Sequence, residues 1–231
     1  FQPIIDVESA VIFSYEAVYR GPDDENIDEF LRDMQPEQLN RVDIECRAIA
    51  SAAASSFGLR TNLNVIFLGG DVTQTRASIR TTLEAAERNG IDPSRIILEI
   101  NQETVLTTLE KFGHVIDEYR AVGLRISIAH FGAGRAALEL LEPYRPEMIS
   151  LDLRLTRDIQ YNGPRQAIVD GLVQTCGDLG IDLIAKHVEN VAEYEWLRQL
   201  GINLFQGNLF APPSADGLPT AYLPGHEKRL E

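Results

Sequence analysis

The stretch IILEINQETVLTTLEKFGHVIDEYRAVGLRISIAHFGAG, residues 96–134, contains the unit that repeats along this chain. An apolar, β-branched run at 96–100 is followed by a helical pattern at 104–122 and by a second apolar run at 125–128. Gly123 comes just after the helical pattern, where a left-handed cap commonly ends a helix. This order predicts two parallel strands joined by an outer helix.

The same order of strand, helix and glycine recurs through most of the sequence. The predicted strands are 3–7, 13–19, 59–64, 96–100, 125–128, 148–151, 183–188 and 204–205. The predicted helices are 36–56, 73–89, 104–122, 136–141, 165–179 and 191–200. Eight strand candidates favour an α/β fold closed into a (β/α)8, TIM-barrel-like domain over an open sheet. The short link at 8–11 predicts that one strand near the N-terminus runs antiparallel.

The composition is that of one globular domain. Apolar residues make up 44% of the 231 residues and charged residues 24%, and no linker rich in Pro, Gly or Ser divides the sequence. We therefore predict a single domain over residues 1–229. Because the chain opens without Met and ends in Leu230 and Glu231, we expect a domain excised from a longer signalling protein, with 230–231 derived from a vector.

The charge balance argues against one broad class of partner. Lys and Arg number 21 against 35 Asp and Glu, a net charge of −14, so no direct binding of nucleic acid is expected. No apolar run approaches the roughly 18 residues of a membrane span. No signal peptide is recognisable, which predicts a cytoplasmic protein without membrane contact. Cys46 and Cys176 lack metal-ligand spacing and are predicted to be buried, reduced thiols.

Oxygen donors stand at the predicted ends of three separate strands. In a barrel of this type, functional residues lie at the C-terminal ends of the strands, and Glu16, Asn62 and Glu99 occupy such positions. Carboxylate and amide oxygens that converge from separate strands are the ligands that Mg²⁺ or Mn²⁺ requires. Acids at strand ends also cap helices or face solvent, so this pattern by itself leaves both interpretations open.

Eight short motifs are spread along the chain. They are FQPI at 1–4, YEAVYR at 15–20, TNL at 61–63, LEI at 98–100, HFGAG at 130–134, SLD at 150–152, KHVE at 186–189 and FQG at 205–207. In this order they resemble the motifs of the EAL family of cyclic-di-GMP phosphodiesterases, with YEAVYR similar to the Glu-Ala-Leu motif and the arginine that follows it. The resemblance covers nearly the whole chain and implies a barrel that hydrolyses cyclic di-GMP with two divalent cations.

The departures from the family motifs fall on positions that would hold those cations. By resemblance, Ala129 and His130 replace two aspartates, Ser150 replaces the lysine that positions the attacking water, and Lys186 replaces a glutamate. With fewer anions, two neighbouring divalent cations repel each other too strongly to bind together. The resemblance therefore implies a site without catalytic residues or cofactor, with Mg²⁺ or Mn²⁺ only if residual activity exists. The vestigial metal positions would be Glu16, Asn62, Glu99 and Asp152.

Lys186 also suggests a replacement for the metal. Its ammonium would lie among Glu16, Glu99 and Glu189 and neutralise them, the alternative being a lysine that faces solvent. His130 is either a hydrogen-bonded loop residue or a ligand of a single transition metal. His187 follows Lys186 where the family has glycine, so its side chain would narrow the pocket.

Several positions that contact nucleotide in the family are kept. They are Gln2, Arg20, Asn62, Glu189 and Gln206. Arg20 would hold a phosphate through a bidentate fork, or form a salt bridge with a neighbouring acid. Arg135 follows the Gly-Ala-Gly turn, in a loop that governs dimer contacts in the family, so a homodimer is expected by analogy.

The C-terminal half is similar to the EAL part of blue-light BLUF–EAL regulators, some of which act through protein contacts. The sequence therefore predicts a catalytically inactive EAL-like regulatory module in cyclic-di-GMP-related signalling. It would act by contact with a protein partner, and a further hypothesis is that it is a metal-independent receptor for cyclic di-GMP. The alternative is a residual or single-metal cyclic-di-GMP phosphodiesterase.

Overall fold

A computed structural model describes residues 1–68, 75–107, 109–132 and 140–231 of the chain. Within these residues the strands close a barrel in sequence order, from β1 to β8, as the repeat predicts. The strands are β1 (Gln2–Asp6), β2 (Val11–Glu16), β3 (Asn62–Phe67), β4 (Ile96–Asn101), β5 (Arg125–Phe131), β6 (Met148–Leu151), β7 (Asp182–Ala185) and β8 (Leu204–Phe205).

The antiparallel strand expected near the N-terminus is β1. It pairs antiparallel with both β2 and β8, whereas every other neighbouring pair in the barrel is parallel. The short turn between β1 and β2 permits only the antiparallel arrangement, because a parallel crossover needs a dozen or more residues. The prediction of one antiparallel strand is confirmed.

Helices cover the outside of the barrel. They are α1 (Ile27–Leu31), α2 (Pro36–Ser56), α3 (Thr75–Arg88), α4 (Gln102–Thr107), α5 (Leu109–Ala121), α6 (Leu141–Tyr144), α7 (Leu153–Thr156), α8 (Gly163–Leu179) and α9 (Val191–Gln199). The described residues also include the 3₁₀ turns Pro93–Arg95, between α3 and β4, and Ile159–Tyr161, between α7 and α8. Most of the helix predicted at 136–141 lies outside the described residues, as do 73–74 of the helix predicted at 73–89. None of the described helices has both the length and the apolar character that crossing a membrane requires.

Four predicted strands differ from the observed ones by two or more residues at an end. The strand expected at 13–19 is observed at Val11–Glu16, and the strand expected at 125–128 continues to Phe131. The strand expected at 59–64 begins and ends three residues later, because Leu59 packs under the end of α2 and the β-branched run continues to Phe67. The strand expected at 183–188 leaves the sheet after Ala185, where His187 takes a left-handed backbone with φ of 61°. These shifts in β3 and β7 change which side chains lie at the end of the barrel where the parallel strands finish.

The barrel interior is filled by apolar side chains at the end where the parallel strands begin. This inner cluster consists of Ile4, Ile97, Met148, Ile184 and Leu204, with Phe13 packed against it. A barrel closed by such a layer is a packed core and not a channel. Ligands therefore have access only from the opposite end, where the parallel strands finish.

The cysteines and the C-terminal residues are held in the fold. Cys46 is half-buried and Cys176 is buried, both as free thiols, and burial raises the pKa of each to about 11. Leu230 is buried, and its backbone N–H and carbonyl pair with those of Ala221 at 2.8 and 3.0 Å. Whether residues 230–231 come from a vector stays a prediction.

Gly207 supports the segment that carries Lys186 and His187. The backbone N–H of Val188 donates to the carbonyl of Gln206 at 3.0 Å. A Cβ on Gly207 would overlap the backbone nitrogen and oxygen of Val188. This contact requires glycine, because the two chain segments lie closer than a side chain allows.

We predict that Gly207→Ala lowers the free energy of unfolding by about 1–3 kcal/mol, since backbone must move to admit the methyl group. Urea denaturation measures the change. Gly171→Ala is the matched control, because Gly171 lies inside α8, where an added Cβ meets nothing within 4 Å. That substitution should raise the free energy of unfolding by about 0.5–1 kcal/mol. Equal stability of Gly207→Ala and the parent chain would contradict the prediction.

Candidate functional site at the barrel mouth

A cavity of about 600 Å³ opens at the end of the barrel where the parallel strands finish. We call this region the barrel mouth. Its wall combines backbone from the strand ends with a mixture of charged, amide and imidazole side chains. Those that bear on the chemistry are Gln2, Glu16, Arg20, Asn26, Glu99, Asn101, Ala129, His130, Ser150, Lys186, His187, Glu189 and Gln206.

The ammonium of Lys186 lies between two carboxylates at the floor of the mouth. Its Nζ is 2.7 Å from Glu16 Oε2, and 2.8 and 2.7 Å from the two carboxylate oxygens of Glu99. Lys186 is only 5% exposed and Glu99 only 1%. The predicted placement of Lys186 between Glu16 and Glu99 is confirmed. Glu189, the third expected partner, lies elsewhere.

Two amides also donate hydrogen bonds to these carboxylates. Gln206 Nε2 donates to Glu16 Oε2 at 2.6 Å, and Asn64 Nδ2 donates to Glu99 Oε1 at 2.9 Å. Buried ions are tolerated when they are paired and hydrogen-bonded. We call the group of Glu16, Asn64, Glu99, Lys186 and Gln206 the Lys186 network.

The pKa values in the network follow from burial and charge. Burial acts to lower the pKa of Lys186, but the adjacent carboxylates outweigh it and raise that pKa. Burial acts to raise the pKa of Glu16, and the Lys186 ammonium and Gln206 lower it overall. For Glu99 burial wins and its pKa is raised, with Glu16 contributing repulsion. The geometry places the Lys186 ammonium against both carboxylates.

Asn64, and not Asn62, supplies the amide at this end of β3. Asn62 lies at the start of β3, where its Nδ2 donates to the carbonyl of Phe13 at 2.7 Å. In the strand register Asn64 is the partner of Glu16, whereas Asn62 is the partner of Ser14. The expected position of Asn62 was therefore wrong by two residues, because the strand itself begins later than predicted.

Ala129 and Ser150 line the mouth without offering a charged group. Ala129 is 4% exposed and presents only a methyl group, and Ser150 is 1% exposed. His130 projects between them and the solvent, with Nδ1 3.7 Å from Asp152 Oδ2. Its ring lies nearly parallel to that of His187, at 18° and with 6.5 Å between centroids. Burial and the Lys186 ammonium lower the pKa of His187, which keeps its imidazole neutral near pH 7.

Asp152 is occupied by its neighbour Arg154. The Oδ1 atom of Asp152 accepts from the backbone nitrogen and the Nε of Arg154 at 2.9 and 2.7 Å, and so caps α7. Burial acts to raise the pKa of Asp152, but these hydrogen bonds lower it overall. A carboxylate held in this way acts as a helix cap.

Glu189 is directed away from the Lys186 network. It forms an ion pair with Arg157, and the backbone N–H of Glu189 donates to Glu193 Oε2 at 3.0 Å. Glu193 is fully buried and also accepts from the backbone of Asp158 at 2.9 Å. Glu193 was not predicted from the sequence, although Asn190 and Glu193 have the spacing of a capping box.

Gln2 and Arg20 stand at the rim of the mouth. Gln2 Nε2 donates to the carbonyl of Ala211 at 3.0 Å. The Arg20 side chain is 53% exposed, and its Nε is 4.0 Å from a carboxylate oxygen of Asp24, which is itself 90% exposed. A surface pair of this kind contributes about 0–1 kcal/mol, so it leaves Arg20 available to an incoming anion. The loop positions Ala133, Gly134 and Arg135 lie outside the described residues.

Residues 1–213 match the EAL domain family. The chain belongs to the EAL domain family. It is 28% identical over 225 residues to the "Blue light- and temperature-regulated antirepressor BluF" of Escherichia coli K12, which covers 97% of this chain and 56% of BluF. A standalone EAL protein from Vibrio cholerae O395, solved in its c-di-GMP-bound form, superposes with a TM-score of 0.86 at 31% identity, covering 96% of this chain and 94% of the other.

BlrP1 of Klebsiella pneumoniae provides a comparison with and without metal. Its complex with manganese and cyclic di-GMP at pH 6 has a TM-score of 0.87 at 32% identity, covering 94% of this chain and 56% of BlrP1. Its structure with FMN and cyclic di-GMP but no metal ions has a TM-score of 0.78 at 28% identity, covering 94% and 53%. The EAL chain described here thus spans little more than half of BlrP1 and of BluF.

We predict that Lys186→Met destabilises this EAL domain by about 3–5 kcal/mol at pH 8, because two buried carboxylates lose their cation. Without the ammonium, the pKa values of Glu16 and Glu99 rise above those of the unfolded chain. The folded state then binds protons more tightly than the unfolded state, so stability falls as the pH rises through the raised pKa values. The deficit should therefore shrink towards pH 5.

Urea denaturation at pH 5 and pH 8 measures this difference. Lys228→Met is the matched control, because Lys228 is exposed near the C-terminus, and that variant should match the parent chain at both pH values. A deficit for Lys186→Met that is the same at pH 5 and pH 8 would count against the network.

Proposed function

We propose that this EAL domain is a regulatory module of cyclic-di-GMP signalling that binds the nucleotide without metal ions and does not hydrolyse it. Its output is contact with a protein partner. The observation that carries the proposal is the position of the Lys186 ammonium, within 2.8 Å of oxygens of both Glu16 and Glu99. These are the carboxylates that would otherwise be free to hold a cation.

Electrostatics supports a mouth that excludes divalent cations. A dication about 4 Å from the Lys186 ammonium is disfavoured by about 8 kcal/mol at an effective dielectric constant of about 20. Two dications about 4 Å apart repel each other by about 17 kcal/mol under the same conditions, unless an anion bridges them. Ala129 has no atom that can coordinate. Among the described side chains, no three His, Cys, Asp or Glu residues are arranged to hold a metal ion. The residues present therefore do not fit the metal pair.

The same substitutions remove the means to activate water. Divalent cations make hydroxide available near neutral pH by lowering the pKa of bound water. The only lysine among the described cavity residues, Lys186, is itself buried in an ion pair and its pKa is raised. It is therefore a permanent cation at the floor of the mouth and a poor general base.

The mouth remains suited to a dinucleotide in volume and charge. Its roughly 600 Å³ falls within the range of small-molecule sites, about 300–1,000 Å³. Lys186 neutralises the Glu16 carboxylate, and Arg20 stands at the rim with only a weak partner. The BlrP1 structure with cyclic di-GMP and no metal ions supports nucleotide binding by an EAL chain that lacks cations.

Output through protein contact is supported by similarity to BluF, which is named an antirepressor. Nucleotide binding would change the contact with the protein partner only if the nucleotide-bound and nucleotide-free forms of the domain differ in affinity for that partner. A homodimer is proposed as the form in which the module works, by analogy with the family.

We predict that calorimetry in EDTA detects cyclic di-GMP binding, and that Arg20→Ala weakens it about 10- to 100-fold by removing a charge-assisted hydrogen bond to phosphate. Arg88→Ala is the matched control. Arg88 is an exposed arginine of α3 that pairs with Glu84, and its variant should bind like the parent chain. Accumulation of linear dinucleotide in the presence of Mg²⁺ or Mn²⁺ would contradict the proposal and establish a residual phosphodiesterase. Absence of a heat signal in EDTA would contradict nucleotide binding, and contact with a protein partner would then be the only proposed activity left.

We further predict that Ala129→Asp, His130→Asp, Ser150→Lys and Lys186→Glu together restore Mn²⁺ binding, because they return anions to the mouth and remove the buried cation. Electron paramagnetic resonance of Mn²⁺ titrations gives the bound fraction. The control carries the first three substitutions and keeps Lys186. It should bind Mn²⁺ at least 10-fold more weakly, and equal binding by the two variants would show that Lys186 does not exclude metal.

A further inference from the structure

Two nearly parallel imidazole rings lie on one side of the barrel mouth. His130 lies near the C-terminal end of β5 and His187 follows β7, and both line the cavity. Their planes differ by 18°, and their centroids are 6.5 Å apart. The His130 side chain is 41% exposed, so the space beside the pair is open to solvent.

The position of His130 is fixed by a bulge in the sheet. Between β5 and β6 the register passes from Ile128 opposite Ile149 directly to Phe131 opposite Leu151. Ala129 and His130 are therefore both accommodated opposite Ser150, and His130 has φ of 55°. Bulges of this kind redirect a side chain next to functional sites.

The position of His187 is fixed by the neighbouring strand. Its φ is 61°, a left-handed conformation that is uncommon for residues other than glycine. The next residue, Val188, is held by its hydrogen bond to Gln206 and by the close approach of Gly207. Both histidines of the mouth thus have a left-handed backbone conformation. Such conformations are maintained where the surrounding structure constrains them, and they cluster at binding sites.

The spacing of the rings is close to what a flat ligand needs. Carbon atoms attract each other best at about 3.5–4.0 Å, so a planar ring between two parallel imidazoles requires about 7–8 Å between the ring planes. The ring centroids are 6.5 Å apart, so the two side chains must move apart by about 0.5–1.5 Å to admit a planar ring.

We propose that His130 and His187 form a clamp that takes a purine base between them. The inference rests on the proposed function, since the base would belong to the dinucleotide in the mouth. Bases stack on histidine as on other aromatic side chains. The two constrained backbone positions fix where the clamp forms, which reduces the entropy lost on binding.

The test compares His187→Gly with His187→Phe by calorimetry with cyclic di-GMP in EDTA. Glycine suits the left-handed position and leaves the fold intact but removes a ring face, so affinity should fall about 5- to 150-fold, the range known for loss of one base–aromatic stack. Phenylalanine keeps a ring face and should retain affinity within about threefold. Ala10→Gly is the matched control, since Ala10 also has a left-handed φ of 54° but lies in the β1–β2 turn, at the other end of the barrel.

A second readout separates stacking from a change of cavity shape. In proton NMR, the guanine H8 signal should move upfield on binding to the parent chain and not on binding to His187→Gly. Unchanged or tighter binding by His187→Gly would overturn the clamp, as would an equal loss in His187→Phe. Either result leaves nucleotide binding itself in place. If the parent chain binds no cyclic di-GMP, the proposed function and the clamp both fail.

Discussion

The buried ammonium of Lys186 is the charge on which the rest of the barrel mouth depends. An unpaired ion at this depth would cost several kcal/mol. Glu16 and Glu99 each contact Nζ, and Gln206 and Asn64 donate to carboxylate oxygens that also contact it. Each partner stabilises the charged form of another, so the network behaves as one unit. The Lys186 ammonium, which is part of the chain, lies beside Glu16 and Glu99, where a free cation would need to bind.

This network divides the barrel interior into two regions of different chemistry. Beneath it, apolar side chains close the barrel and exclude solvent. Above it, the mouth holds amides, imidazoles and one weakly paired arginine. A floor of two carboxylates and one ammonium carries less negative charge than a bare pair of carboxylates, so it repels an anionic dinucleotide less. Under the proposed function, binding and hydrolysis are thereby separated, because the Lys186 ammonium is fixed in the fold and cannot activate water.

The sequence predicts the barrel and much of the mouth because both follow from periodic features. Glycines after helices and apolar runs at regular spacing define the strands, and strand ends bring Glu16, Glu99 and Lys186 together. Asn64 was not predicted because β3 starts three residues later than expected, so its side chains lie at different heights along the barrel. Glu189 was expected beside Lys186, yet the left-handed residue His187 turns the chain and places Glu189 next to Arg157. The spacing of the imidazoles depends on a bulge that no local pattern announces.

The most direct measurement is anomalous diffraction from crystals of the parent chain grown with cyclic di-GMP and soaked in millimolar Mn²⁺. The account predicts nucleotide density in the mouth, no anomalous peak there, and the Lys186 ammonium still between the two carboxylates. Strong manganese peaks bound to Glu16 and Glu99, with Lys186 displaced, would contradict it.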